Sequence, residues 1–151
     1  MTIEAQDVAA EELGACTGEV SDVELAELGC RLVEVGHAER RCLYGETDDV
    51  VASKTLAAIR AGLQPIICIG ESERVVPELA VADGLRQVRA ALTSARAHGL
   101  LGEIVIAYEP IWALGAAQTA EPGPIPAACP GTPRAPAGDP DDTAVRLPSR
   151  G

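Results

Sequence analysis

The amino-acid sequence predicts an α/β fold built on a parallel sheet. Between Ser21 and Trp112, three short apolar segments alternate with stretches of helical pattern. The apolar segments are residues 31–35, 65–69 and 104–108. Continuous apolar runs are typical of parallel strands that are covered on both faces. Strands separated by helices of this length indicate βαβ units, so we expect the sheet to be parallel.

Start and stop signals place the helices between these strands. Ser21 followed three residues later by Glu24 forms a capping box, and the helix that it opens is expected to stop at Gly29. Thr47 precedes two acidic residues, which suit the positive end of a helix dipole, and this helix is predicted over residues 50–61. A longer helix is predicted over residues 77–97.

The last part of the chain has a different composition. Eight of the 11 prolines fall within residues 121–151, and no long helix accommodates that spacing. We therefore divide the chain into an α/β unit over residues 1–120 and an irregular, proline-rich tail over residues 121–151. Within the tail, residues 143–147 are the candidate for one residual strand.

Charge and cysteine usage restrict the classes of partner. The chain carries 23 acidic and 12 basic residues, for a formal net charge of −11. This balance disfavours nucleic acid and anionic membrane surfaces. The five cysteines include no Cys-x-x-Cys pair, the chain does not start like a secretory signal, and no apolar run is long enough to span a membrane. We expect reduced thiols and a cytoplasmic location. Two distant histidines suggest no metal site.

Two residues that follow predicted strands are candidates for proton transfer. His37 comes just after the strand at residues 31–35, and Glu109 comes directly after the strand at residues 104–108. In parallel sheets the chemistry lies at the carboxyl ends of the strands, where Glu71 also falls. A neutral imidazole can polarise a carbonyl group, and a carboxylate in an apolar, partly dry pocket can act as a base near neutral pH.

Each of these residues also has an ordinary structural interpretation. A lone histidine after a strand is usually structural, and most glutamates lie on the solvated surface. The small residues 113–118 fit an ordinary surface loop, or a lid that closes over a substrate and offers the N–H of Gly115 to a phosphate. The position of His37 and Glu109 at strand ends favours the functional interpretation for this pair.

Several segments together resemble a known enzyme family. They are residues 6–7, 14–19, 35–46, 68–71 and 108–115. This set is similar to the triosephosphate isomerase family, and the similarity runs from Ala5 to Gln118. The resemblance implies a partial TIM (β/α)8 barrel that lacks the first two strands and the last strand, because a complete barrel needs about 250 residues. It also implies that residues 6–7 belong to the third strand of that barrel.

The resemblance assigns an activity and roles to individual residues. It implies interconversion of glyceraldehyde 3-phosphate and dihydroxyacetone phosphate through an enediolate, in glycolysis and gluconeogenesis, by a homodimer without cofactor or metal. His37 would be the electrophile, Glu109 the base, and Gly115 a phosphate contact. The loop led by Thr17 would reach into the partner subunit. The supporting residues implied by the resemblance are Thr17, Glu39, Arg40 and Cys68.

Departures from the family pattern leave three functions open. The asparagine and lysine of the family's first strand have no counterpart in the 151 residues, and the lid reads Gly-Ala-Ala-Gln at residues 115–118, where the family has Gly-Thr-Gly-Lys. Arg40 and Arg41 are the first candidates for a replacement cation. The sequence is compatible with a triose phosphate isomerase, with an inactive remnant or binding fragment, and with an isomerase of a related four-carbon phosphosugar.

Overall fold

The described strands run parallel in a single sheet. The computed structural model describes residues 2–113 and 145–146. The strands follow one another across the sheet in chain order: β1 (Ile3–Ala5), β2 (Cys30–Val35), β3 (Gln64–Ile69), β4 (Ile104–Tyr108) and β5 (Val145–Arg146). Each neighbouring pair is parallel. The predicted α/β class and parallel sheet are therefore confirmed.

Helices connect the first four strands. They are α1 (Asp22–Glu27), α2 (Ala38–Tyr44), α3 (Asp48–Arg60), α4 (Pro77–Ala91) and α5 (Thr93–Ala97), and a 3-10 turn at Ile111–Ala113 follows β4. The predicted capping box at α1 is present, because the Glu24 N–H donates to the Ser21 hydroxyl while the Ser21 N–H donates to the Glu24 carboxylate. Thr47 caps α3 through its hydroxyl, as the sequence indicates.

The hydrophobic core lies between one face of the sheet and the helices. Val33, Ile67 and Ile104 are fully buried on this face and join a cluster that includes Val51 from α3. On the opposite face, alternate strand residues such as Ile66 are only partly buried. This packing fixes the direction of the strands and brings the carboxyl ends of β2, β3 and β4 to one edge of the sheet.

Three local expectations differ from the structure. The first strand ends at Ala5, before residues 6–7. The segment after His37, for which no helix is predicted from the sequence, forms the short helix α2, and its Arg40 and Arg41 pair with Asp7 and Asp48. The helix expected over residues 77–97 is interrupted at Leu92. There the Thr93 hydroxyl donates to the carbonyl of Arg89, a contact that bends helices.

The predicted proline-rich tail lies almost entirely outside the described residues. Val145–Arg146 is described as a strand that pairs in parallel with β4. The division at residue 120 and the irregular tail lie outside the part of the chain that the structure describes. Among the described helices, none has the length and apolar character that a membrane crossing requires.

Candidate active site

His37 and Glu109 meet at the carboxyl edge of the sheet. His37 follows β2 after a single glycine, and Glu109 directly follows β4, with β3 between the two strands. The Nε2 atom of His37 lies 3.1 Å from Oε2 of Glu109, and the two side chains are 25% and 41% exposed. The fold therefore brings together the two residues that sequence reasoning selected as a proton-transfer pair.

The orientation of His37 is fixed by its position at the start of α2. As the N-cap residue, its Nδ1 accepts a hydrogen bond of 3.2 Å from the Glu39 N–H. A neutral imidazole has one donor and one acceptor nitrogen, so the N–H belongs on Nε2, which faces Glu109. Gly36 turns the chain into this position at a φ of +71°, and a Cβ there would meet Val51 at 3.1 Å.

The backbone of Glu109 rests against the end of β3. The Glu109 N–H donates to the Ile69 carbonyl at 2.8 Å, and the Ile111 N–H donates to the Glu71 carbonyl at 2.9 Å. The approach is so close that a Cβ on Gly70 would lie 2.1 Å from the Glu109 carbonyl oxygen. The carboxylate itself is 41% exposed, so residues 2–113 by themselves do not form the expected partly dry pocket around it.

Glu71 is a buried carboxylate beside this pair. Its oxygens accept hydrogen bonds from the Tyr108 hydroxyl at 2.9 and 3.0 Å and from the Trp112 indole N–H at 2.9 Å. The Arg74 guanidinium lies over the Trp112 ring, 4.5 Å from its centroid. The sequence placed Glu71 correctly at the carboxyl edge of the sheet but did not reveal these donors. Their hydrogen bonds hold the segment after Glu109 against the end of β3.

Five charged side chains from the segment before α1, from α2 and α3 and from the turn between these two helices form a cluster. We call it the Lys54 cluster. Its members are Asp7, Glu19, Arg40, Glu46 and Lys54. Lys54 is 3% exposed, with its Nζ atom 2.6 Å from Glu46 and 2.7 Å from Asp7. Burial by itself raises the pKa of Glu46, but hydrogen bonds from Lys54 and Arg40 outweigh it and hold that pKa below its ordinary value.

The two arginines proposed as replacement cations are already engaged. Arg40 contacts Asp7 at 2.9 Å and Glu46 at 2.8 Å. Arg41 contacts Asp48 at 2.8 Å and donates from Nε to the Gly36 carbonyl at 3.0 Å. Burial alone would raise the pKa of Asp48, but the guanidinium groups that bind it lower that pKa. Both arginines therefore hold the segment around His37 through these contacts.

The remaining candidates occupy different surroundings. Cys68 is buried in β3, and burial raises the pKa of its thiol to about 12, so it is held as a neutral group. On β2, burial and the nearby carboxylate of Glu4 raise the pKa of Glu34. Thr17 is exposed in the turn before α1. Gly115 lies outside the described residues.

Within residues 2–113, no three histidine, cysteine or acidic side chains are grouped as ligands for a metal ion. The described site therefore offers an imidazole N–H donor beside a carboxylate, an arrangement that can donate a hydrogen bond to an oxygen and remove a proton from an adjacent carbon.

Comparisons with known proteins identify relatives of this chain. L-erythrulose-1-phosphate isomerase from Pectobacterium atrosepticum is 47% identical over 125 residues, which cover 83% of this chain and 48% of that protein. Triosephosphate isomerase from Herminiimonas arsenicoxydans is 49% identical over 120 residues, which cover 78% of this chain and 48% of the relative. Both relatives are similar along most of this chain.

A solved structure shows the same likeness. Triosephosphate isomerase from Bartonella henselae matches with a TM-score of 0.70 and 29% identity, covering 97% of this chain and 60% of that one. The chain spans about half the length of the curated relatives that it matches. The triosephosphate isomerase family model matches residues 1–131. Because that match includes most of the 151 residues, this chain belongs to the triosephosphate isomerase family.

Proposed function

We propose that this chain carries the proton-transfer machinery of a triose phosphate isomerase, with Glu109 as base and His37 as electrophile. The observation that carries the proposal is the 3.1 Å contact between His37 Nε2 and Glu109 Oε2. The Glu39 N–H occupies the other imidazole nitrogen, so the Nε2–H donor is directed toward the base. Family membership supports the same assignment.

In the proposed reaction, dihydroxyacetone phosphate binds with its carbonyl oxygen at the Nε2–H of His37. Glu109 removes a proton from the neighbouring carbon, and the electrons of the broken C–H bond form the enediolate. Hydrogen bonding from the imidazole stabilises the negative charge that develops on oxygen. A proton then passes from the hydroxyl oxygen of the neighbouring carbon to the former carbonyl oxygen, and return of the abstracted proton from Glu109 to the former carbonyl carbon gives glyceraldehyde 3-phosphate. Protons and electrons balance within the substrate and these two side chains.

The other candidate residues have supporting roles in this proposal. Glu39 orients His37 through its backbone N–H, Arg40 stabilises the loop from the Lys54 cluster, and Cys68 fills the sheet beneath the site. Gly115 offers its N–H to the phosphate from a closing lid. The Thr17 loop contacts a second subunit of a cytoplasmic homodimer.

The proposal also limits the activity expected of these residues alone. The family's first-strand lysine has no counterpart in the sequence, and Arg40 and Arg41 are held by carboxylates. Loss of one preorganised electrostatic contact costs about 10²–10³ in rate. We therefore expect the purified chain to isomerise glyceraldehyde 3-phosphate at the buffer rate, or several decades below a complete enzyme. An inactive remnant or binding fragment is the competing interpretation.

A second substrate is favoured by one comparison. The relative from Pectobacterium atrosepticum is named L-erythrulose-1-phosphate isomerase, and that name supports a four-carbon phosphosugar as the alternative substrate. The same two side chains would perform that reaction, since only the length of the sugar differs. Coupled assays with both sugar phosphates test the proposal when the chain and its Glu109→Gln variant are each mixed with a companion polypeptide that carries the barrel strands its relatives have in addition. Turnover that survives Glu109→Gln would contradict it.

A further inference from the structure

The side chain of Gln87 binds both polar groups of one glycine. The Gly70 N–H donates to Gln87 Oε1 at 3.2 Å, and Gln87 Nε2 donates to the Gly70 carbonyl at 3.0 Å. Gln87 lies on α4, is 6% exposed, and gives its second N–H to Asp83 at 2.8 Å. A buried amide with these contacts fixes the orientation of the Gly70 backbone.

Gly70 is in turn the residue against which Glu109 lies. Its missing Cβ is what allows the Glu109 carbonyl to approach, since a Cβ would stand 2.1 Å from that oxygen. The preceding carbonyl, of Ile69, accepts the Glu109 N–H. Gln87 and Glu109 also line the same small cavity, of about 10 Å³. The amide on α4 thus acts on the Glu109 backbone through a single intervening residue.

We propose that Gln87 is a positioning residue for Glu109, an inference that rests on the role of base proposed above for Glu109. By binding the N–H and the carbonyl of Gly70, it sets where the backbone of Glu109 lies relative to His37. A misplacement of about 1 Å is enough to cost a large part of a proton-transfer rate, so this constraint bears directly on the candidate base. Sequence reasoning assigned no role to Gln87.

Amide hydrogen exchange of the purified chain tests this role without requiring turnover. In Gln87→Met, which has a similar volume but no hydrogen-bonding amide, we expect the Gly70 and Glu109 amides to exchange about tenfold faster. Amides inside β4, such as that of Ile106, should change far less. The matched control is Gln64→Met, at the opposite end of β3, where the amide donates to Glu103 at 3.4 Å. It should leave Glu109 unchanged.

Two further measurements keep the test decisive. Asp83 is partly exposed, and its carboxylate orients the Gln87 amide. Asp83→Ala removes that carboxylate and should accelerate exchange of the Gly70 and Glu109 amides by a smaller factor. It decides the question if Gln87→Met does not fold. The ¹⁵N signals of the His37 ring should also move in Gln87→Met, since Nε2 contacts Glu109.

Two results would overturn the inference. One is equal acceleration at Gly70, Glu109 and Ile106, which indicates general destabilisation. The other is faster amide exchange at Gly70 alone, with an unchanged His37 spectrum. That result would confine the effect of Gln87 to its contact with Gly70. Since none of these readouts depends on catalysis, turnover that survives Glu109→Gln would contradict the proposed function and leave the positioning role separately testable.

Discussion

The imidazole Nε2 of His37 lies 3.1 Å from the carboxylate Oε2 of Glu109, although the two residues follow different strands with β3 between them. Both side chains are placed by their backbones. The His37 ring caps α2 through Nδ1, and the Glu109 N–H is bound to the end of β3. The close approach of the two side chains therefore depends on backbone contacts at the carboxyl edge of the sheet. Spectroscopy and mutation can test those contacts.

The two histidines of the chain should show opposite tautomers. Nδ1 of His37 accepts the Glu39 N–H, so its proton belongs on Nε2. Nδ1 of His98 lies 2.8 Å from the Ser94 carbonyl oxygen, which can only accept, so the neutral ring of His98 carries its proton on Nδ1. Nitrogen-15 NMR of the neutral rings distinguishes these forms. Finding His37 protonated on Nδ1 would contradict the orientation on which the mechanism depends.

Substitution of Gly70 should damage both the fold and the site. In Gly70→Ala the added Cβ would meet the Glu109 backbone at 2.1 Å, so the strand ends must separate. We expect the free energy of unfolding to fall by about 1–3 kcal/mol, measured by urea denaturation. The control is Gly102→Ala, whose Cβ would meet only the side chain of Ile59 at 3.3 Å. An equal loss in both variants would rule out the close approach as the cause.

Substitution of Lys54 should reduce the stability of the fold more than substitution of an exposed charged residue. Lys54→Met leaves Asp7 and Glu46 without their buried cation, and we expect the free energy of unfolding to fall by about 3–5 kcal/mol. Arg86→Met is the matched control, because that side chain is 58% exposed and its ion pairs are worth less than about 1 kcal/mol. Similar denaturation midpoints for the two variants would refute this account of the Lys54 cluster.

The Lys54 cluster should also make the free energy of unfolding depend on pH in the acidic range. Burial raises the pKa of Glu46, yet the bonds from Lys54 and Arg40 bring it below the ordinary value of 4.5. A lowered pKa in the folded state contributes stability that is present above pH 4.5 and is lost as the pH falls through the folded value. Glu46→Gln should therefore show a shallower loss of unfolding free energy on acidification than the unsubstituted chain. A steeper loss would show that the sign is wrong.

The sequence predicted the sheet, and the place of His37 and Glu109 at one edge of it, because both depend on local pattern. The strand at residues 104–108 and the capping box at Ser21 agree with the structure. Once the sheet is parallel, the ends of its strands share an edge, so His37 and Glu109 had to be near one another. Those inferences needed only the alternation of strands and helices.

The residues that hold the pair could not be found in the same way. Gln87 and Lys54 lie in the interiors of α4 and α3, where a polar residue in sequence is usually taken as exposed. Their contacts with Gly70 and Asp7 depend on how each helix is rotated against the sheet. Helix periodicity gives an approximate face, but it does not give the partner that a buried amide or ammonium group will meet.

Removal of a substrate proton by Glu109 is the central claim, and isotope incorporation tests it most directly. The chain would be mixed with a companion polypeptide that carries the barrel strands its relatives have in addition. Dihydroxyacetone phosphate would be added in D₂O, and deuterium at the carbon beside the carbonyl followed by NMR. The account predicts incorporation above the buffer rate that Glu109→Gln abolishes, by a factor of at least about 10². Equal incorporation with and without that substitution would contradict it.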